Sequence, residues 1–92
     1  MTIRYRSRAG IIYDVLRTLR DHGPLPATRV MYGANLPYDR LRSILEVLKS
    51  KGYIEEVREG DKTLYKLTKK GFDALSHLEK VKRMFDELGL KF

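Results

Sequence analysis

Three rhythms of apolar residues run along this chain. In the first, Ile11, Ile12, Val15, Leu16 and Leu19 recur at one-, three- and four-residue steps, which lays an apolar face along a helix. Ser7 stands where it can cap that helix. His22-Gly23-Pro24 ends it, because glycine accepts the left-handed position after a helix and proline cannot continue one. After the connector Leu25-Pro26-Ala27, Thr28 is placed to cap a short second helix through Arg29, Val30, Met31 and Tyr32, with Asn35 as its left-handed stop. Leu36-Pro37 turns the chain into a third helix, since proline is tolerated at a helix start. Leu41, Ile44, Leu45 and Leu48 line its apolar face, and Gly52 ends it.

The second rhythm is alternation. Leu64, Lys66 and Thr68 face one way, and Thr63, Tyr65 and Leu67 the other. The preceding strand is less regular: Ile54 and Val57 have opposite parity, so either one is exposed or a bulge separates them. Glu59-Gly60-Asp61 is the turn. The third rhythm starts after Thr68, a candidate cap, and sets Phe72, Leu75, Leu78, Val81, Phe85 and Leu88 on one stripe. Within it Leu78, Val81, Phe85, Leu88 and Phe92 follow a heptad alternation. A helix from Lys69 to Leu88 would be about 30 Å long.

Three helices, a hairpin and a further helix are the element order of a winged helix-turn-helix. The expected fold class is α+β, mainly α, with three helices, a two-stranded wing and a long C-terminal dimerisation helix. Residues 1–68 are expected to form the winged domain with a basic N-terminal arm, and residues 69–92 the dimerisation helix. Phe72 and Leu75 should pack on the core. The part from Val81 to Phe92 is a longer lever than so small a body covers, and an exposed apolar stripe calls for a partner. Two copies crossing antiparallel would bury it in a two-fold dimer. Folding back on its own domain is the alternative.

Composition narrows the function. With 92 residues, 42% apolar and 34% charged, the chain suits one folded core. A net charge of +7 points to an acidic partner, nucleic acid before an anionic membrane surface. The surplus is uneven: Met1–Asn35 holds six Arg against two Asp, whereas Leu36–Thr68 nearly balances. There is no cysteine, which excludes disulfide and thiol chemistry. There is no Gln and a single Asn, a bias of heat-adapted proteins. No apolar run approaches membrane-spanning length, and no signal region follows the first arginines. An intracellular, nucleoid-associated protein without a membrane partner is expected.

Candidate contacts follow from helical and strand geometry. The wet face of the third helix carries Tyr38, Asp39, Arg42, Ser43 and Glu46, with Arg40 flanking. Arg to guanine and carboxylate to cytosine are workable pairs, although two carboxylates weaken the attraction for phosphate. Arg40, Arg42 and Ser43 are the favoured contacts, and a plain solvated helix face is the other reading. The wing offers Arg58 and Lys62, surrounded by Glu55, Glu56, Glu59 and Asp61. Arg4, Arg6 and Arg8 form a basic arm suited to phosphates or a minor groove. His22 and His77 stand alone and match no metal pattern. Glu55 and Glu56 fall on opposite faces of a strand and cannot act as a pair. No enzyme, metal or cofactor is expected.

The run TRVMYGANLPYDRLRSILEVLKSKGYIE, followed by YKLTKKGFDAL, resembles an archaeal winged-helix family. That family includes small basic DNA-binding proteins of Sulfolobus that dimerise through a C-terminal antiparallel coiled coil. The similarity spans roughly residues 11–78. Pro37 stands where that family often has Ser, and the final helix is shorter than in its long coiled-coil members. The resemblance implies a dimeric binder of double-stranded DNA, either a transcriptional regulator or a chromatin-like protein. In such a binder the third helix would enter the major groove, and the arginines of the arm and Arg29 of the second helix would hold phosphates. A protein-interaction adaptor using the acidic wing is the alternative.

Overall fold

The protein is described by a computed structural model covering residues 6–92. Its elements are α1 (Arg8–His22), α2 (Ala27–Ala34), α3 (Tyr38–Ser50), β1 (Ile54–Glu59), β2 (Lys62–Leu67) and α4 (Lys69–Glu87). This is the expected winged helix-turn-helix order and class. Ser7 caps α1 and Thr68 caps α4, their hydroxyls accepting from the N–H groups of Gly10 and Gly71. Asn35 adopts the left-handed conformation (φ 54°, ψ 57°) that ends α2.

Thr28 does not cap α2. The helix begins at Ala27, two residues before the expected Arg29, and the Pro26 carbonyl receives the first bonds, from Arg29 and Val30. The reason lies in a contact distant in sequence. Leu25 exchanges two main-chain hydrogen bonds with Tyr65 (3.0 and 2.8 Å), which holds the connector extended beside β2 until Pro26. The same pair of bonds anchors the wing to the helical body.

The hairpin register is unbroken from Ile54↔Leu67 to Glu59↔Lys62, so no bulge is present. The parity conflict resolves through two different faces. Ile54 and Leu67 are buried on the inner face, while Val57 sits opposite Leu64 on the outer one, both half-buried. The turn is the two-residue Gly60-Asp61, with positive φ at Gly60 (61°), as a type II′ turn requires.

One core joins all six elements. Val15, Leu16 and Leu19 of α1, Val30 and Ala34 of α2, and Leu41, Leu45 and Leu48 of α3 meet Ile54, Leu67 and Leu75. Two glycines permit close crossings: a Cβ on Gly33 would collide with Thr18, and one on Gly71 with the Tyr53 carbonyl oxygen. Because Gly71 takes that close approach, Phe72 is carried round the helix and stands 50% exposed rather than in the core.

The helix of the third rhythm stops at Glu87, and Gly89 (φ 71°) turns the chain out of it. The heptad stripe therefore does not run to Phe92. Leu78 and Phe85 are half-buried, whereas Val81, Met84 and Leu88 are exposed along a neighbouring strip.

Candidate nucleic-acid interface

The turn Asn35-Leu36-Pro37 sets the direction of α3. The Leu36 N–H closes back on the Met31 carbonyl at 3.1 Å, and the Leu36 side chain is buried. From there α3 buries Leu41, Leu45 and Leu48 and exposes Tyr38, Asp39, Arg40, Arg42, Ser43, Glu46 and Val47. The exposed face stands as a ridge between two grooves. A wide groove of about 570 Å³ lies toward α1, with Arg8, Arg40 and Ser43 at its rim and Ile11, Ile12 and Ile44 in its walls. A smaller one of about 140 Å³ lies toward the wing, between Tyr38 and Arg42 of α3 and Glu56 and Tyr65 of the hairpin.

The charges on this ridge are sorted by pairing. Lys49 donates to Glu56 at 2.9 Å and reaches Glu46 at 4.0 Å, so one ammonium serves both carboxylates beside the ridge. That hydrogen bond holds the Glu56 carboxyl below its usual range and raises the Lys49 ammonium. Burial pushes the Tyr65 phenol up, with Glu56 adding to the shift. Glu55 is likewise matched across the hairpin by Lys66 at 3.7 Å. Among the described residues, Arg8, Arg29, Arg40, Arg42, Arg58 and Lys62 enter no salt bridge.

The expected arm is divided. Arg4 lies outside the described residues. Arg6 is committed within the fold, its guanidinium donating to Asp14, to the Ala34 carbonyl at 2.7 Å and to the Asn35 carbonyl at 2.8 Å. It closes the end of α2 and buttresses the helix-turn-helix. Arg8 is exposed and faces the α1–α3 groove. Arg29 is exposed in the first turn of α2. In the wing, Arg58 shares the inner face with Glu56 and Tyr65, on the α3 side, while Lys62 sits opposite Glu59 on the outer face. Ser43 spends its hydroxyl on the Asp39 carbonyl at 3.3 Å.

Sequence reasoning missed the Arg6 anchor and the Lys49 bridge. The Arg6 partners lie 8, 28 and 29 residues away, so no local pattern signals them. For Lys49 the i,i+3 spacing from Glu46 was a partial clue. Among the described residues no group of three His, Cys, Asp or Glu side chains could hold a metal ion, and no helix is long and apolar enough to cross a membrane.

Comparison with known proteins places this geometry. A family model described as winged helix-turn-helix matches residues 5–86. No curated protein matches the chain. Among solved structures, Sso10a-2, a DNA-binding protein from Sulfolobus solfataricus, superposes with a TM-score of 0.82 at 29% identity, over 90% of this chain and 85% of that one. BpsR of Bordetella bronchiseptica, whose DNA binding is regulated by 6-hydroxynicotinic acid, gives 0.76 at 20% identity, covering 88% of this chain and 62% of that one. The transcriptional regulator BldR from Sulfolobus solfataricus gives 0.74 at 15%, covering 86% and 60% respectively. At those lower identities the likeness is one of fold. With a family match over most of its length and the tertiary arrangement to go with it, this chain belongs to the winged helix-turn-helix family.

Proposed function

We propose that the protein is a non-enzymatic, homodimeric binder of double-stranded DNA, acting as a transcriptional regulator or chromatin-like protein in the cytoplasm at the nucleoid. The observation that carries this reading is the sorting of charge on α3. Lys49 bonds Glu56 and lies within 4.0 Å of Glu46, so the charges of the ridge left without a salt bridge among the described residues are Arg40, Arg42 and the single carboxylate Asp39, a positive balance. An α-helix about 10–12 Å across fits a major groove of similar width. Arg42, Arg40, Tyr38 and Ser43 would then meet base edges or phosphates. Arg29 and Arg8 would reach the flanking backbone, and Arg58 would be the wing's contact in preference to Lys62. The adaptor alternative loses ground, since two of its four acidic residues are paired within the chain.

The dimer would form through Val81, Met84 and Leu88, with Leu78 and Phe85 beneath them. The similarity to Sso10a-2, a DNA-binding protein, supports the nucleic-acid reading.

The test is a binding series on random duplex DNA at rising salt. Arg40→Ala and Arg42→Ala should each weaken binding, and each lost phosphate contact should reduce the slope of log K against log salt by about 0.9. A contact to guanine would instead cost about 1–3 kcal/mol on its preferred site. Binding that ignores salt, or that survives loss of both arginines, would reject the reading.

A further inference from the structure

The sequence pattern sets Phe92 on a partner-facing stripe, but its geometry points elsewhere. The chain leaves α4 at Gly89, where the Leu90 N–H bonds to the Phe85 carbonyl at 2.8 Å, and doubles back to the start of α1. There the Phe92 carbonyl oxygen accepts from the Ser7 hydroxyl at 2.7 Å and from the Ser7 N–H at 3.4 Å. The Phe92 ring packs edge-on against Tyr13 of α1 and Phe85 of α4, at centroid distances of 5.9 and 5.6 Å. Gly10 leaves room for this return: a Cβ there would come within 2.9 Å of the Phe92 carbonyl oxygen. The Ser7 hydroxyl also accepts the Gly10 N–H at 3.0 Å, so one side chain caps α1 and holds the returning tail.

The neighbours of Ser7 make this contact consequential. Arg6 grips the end of α2, and Arg8 lines the groove beside Arg40 and Ser43. We propose that Phe92 is a positioning residue for the DNA interface: its clasp on Ser7 and Tyr13 fixes the first turn of α1 and so holds Arg8 beside α3. The inference rests on the reading of α3 as the DNA-facing helix. Helix ends fray, and the Phe92 clasp adds to the Ser7 cap and the Arg6 anchor a further hold on this one; a long side chain ordered before binding spares the complex that ordering cost.

The test is a double-mutant cycle on the full chain. Phe92→Ala should leave the particle mass in light scattering unchanged. It should lower hydrogen-exchange protection at the Gly10 and Ile11 amides, and weaken random-duplex binding by about three- to tenfold, the range for re-ordering one long side chain. Arg8→Ala should weaken binding similarly and reduce the salt slope by about 0.9. In the Arg8→Ala background Phe92→Ala should add nothing further. Phe92→Tyr keeps the ring and should restore affinity and protection. Gly10→Ala pushes the tail off from beneath with the ring intact and should repeat the Phe92→Ala result, which keeps the idea testable if Phe92→Ala folds poorly. Additive losses, or a fall to half mass with Gly10 still protected, would overturn it, the second outcome returning Phe92 to the dimer contact. Loss of binding in Arg42→Ala with none in Arg8→Ala sinks the clasp alone, whereas wild-type binding without salt dependence sinks the DNA reading itself.

Discussion

Arg6 and Arg8 are two positions apart and meet different fates. Both border the groove between α1 and α3, but Arg6 is drawn into Asp14 and the closing carbonyls of α2, while Arg8 enters no salt bridge among the described residues. A charge count treats them alike; only the partners distinguish them. Lys49 and Glu56 show the same principle with a measurable consequence. The Lys49 hydrogen bond lowers the Glu56 pKa in the folded chain. Stability from this pair is complete above the ordinary glutamate pKa of about 4.3 and is lost as pH falls through the lower folded value. Glu56→Gln should therefore melt below wild type near neutral pH, and the two should converge in acid. A melting difference that stays constant down to about pH 3 would exclude the pairing as its source.

At the scale of elements, one stop signal recurs. Asn35, Gly52 and Gly89 each take positive φ, and the next N–H closes back on a carbonyl five residues earlier: Leu36 to Met31, Tyr53 to Leu48, Leu90 to Phe85. Asn35 and Gly52 were legible in sequence because few residues tolerate that conformation. Gly89 was legible too, but the heptad spacing of Leu88 and Phe92 masked it. Gly71 has a different task. It lies in the first turn of α4 under the Tyr53 carbonyl, where a Cβ would overlap that oxygen. Gly71→Ala should destabilise by about 1–3 kcal/mol as an overpacking change. That corresponds to roughly 4–8 °C of melting temperature per kcal/mol for a domain of this size, read by circular dichroism. An unchanged melt would mean that the hairpin root yields freely there.

For the whole molecule, α4 is where the interior meets the proposed partner. Its inner side packs Leu75 into the core and links to α1 through the 2.7 Å Arg20–Glu79 ion pair. That hydrogen bond, with a second to Asp21, raises the Arg20 pKa. Its outer strip exposes Val81 at 38%, Met84 at 50% and Leu88 at 64%. Phe85 already packs on Phe92, so replacing it would disturb the monomer as well. Leu88→Asp is the cleaner test. It should halve the mass in light scattering while leaving the melting curve of the isolated domain cooperative, and a protein that keeps its mass would remove this strip from the interface.

Local pattern determined the elements of this protein. Apolar spacing, caps and turn residues act within a few residues of one another, and they were enough to order three helices, a wing and a last helix. They also mark the exposed arginines of α3, because the buried face of an amphipathic helix defines its opposite. Tertiary structure alone decided which charges remain free, where the connector binds the wing, and which way the chain turns after Glu87. Those outcomes rest on contacts such as Arg6 with Asn35, Leu25 with Tyr65 and Ser7 with Phe92. Each joins groups that come within reach only once the core has closed.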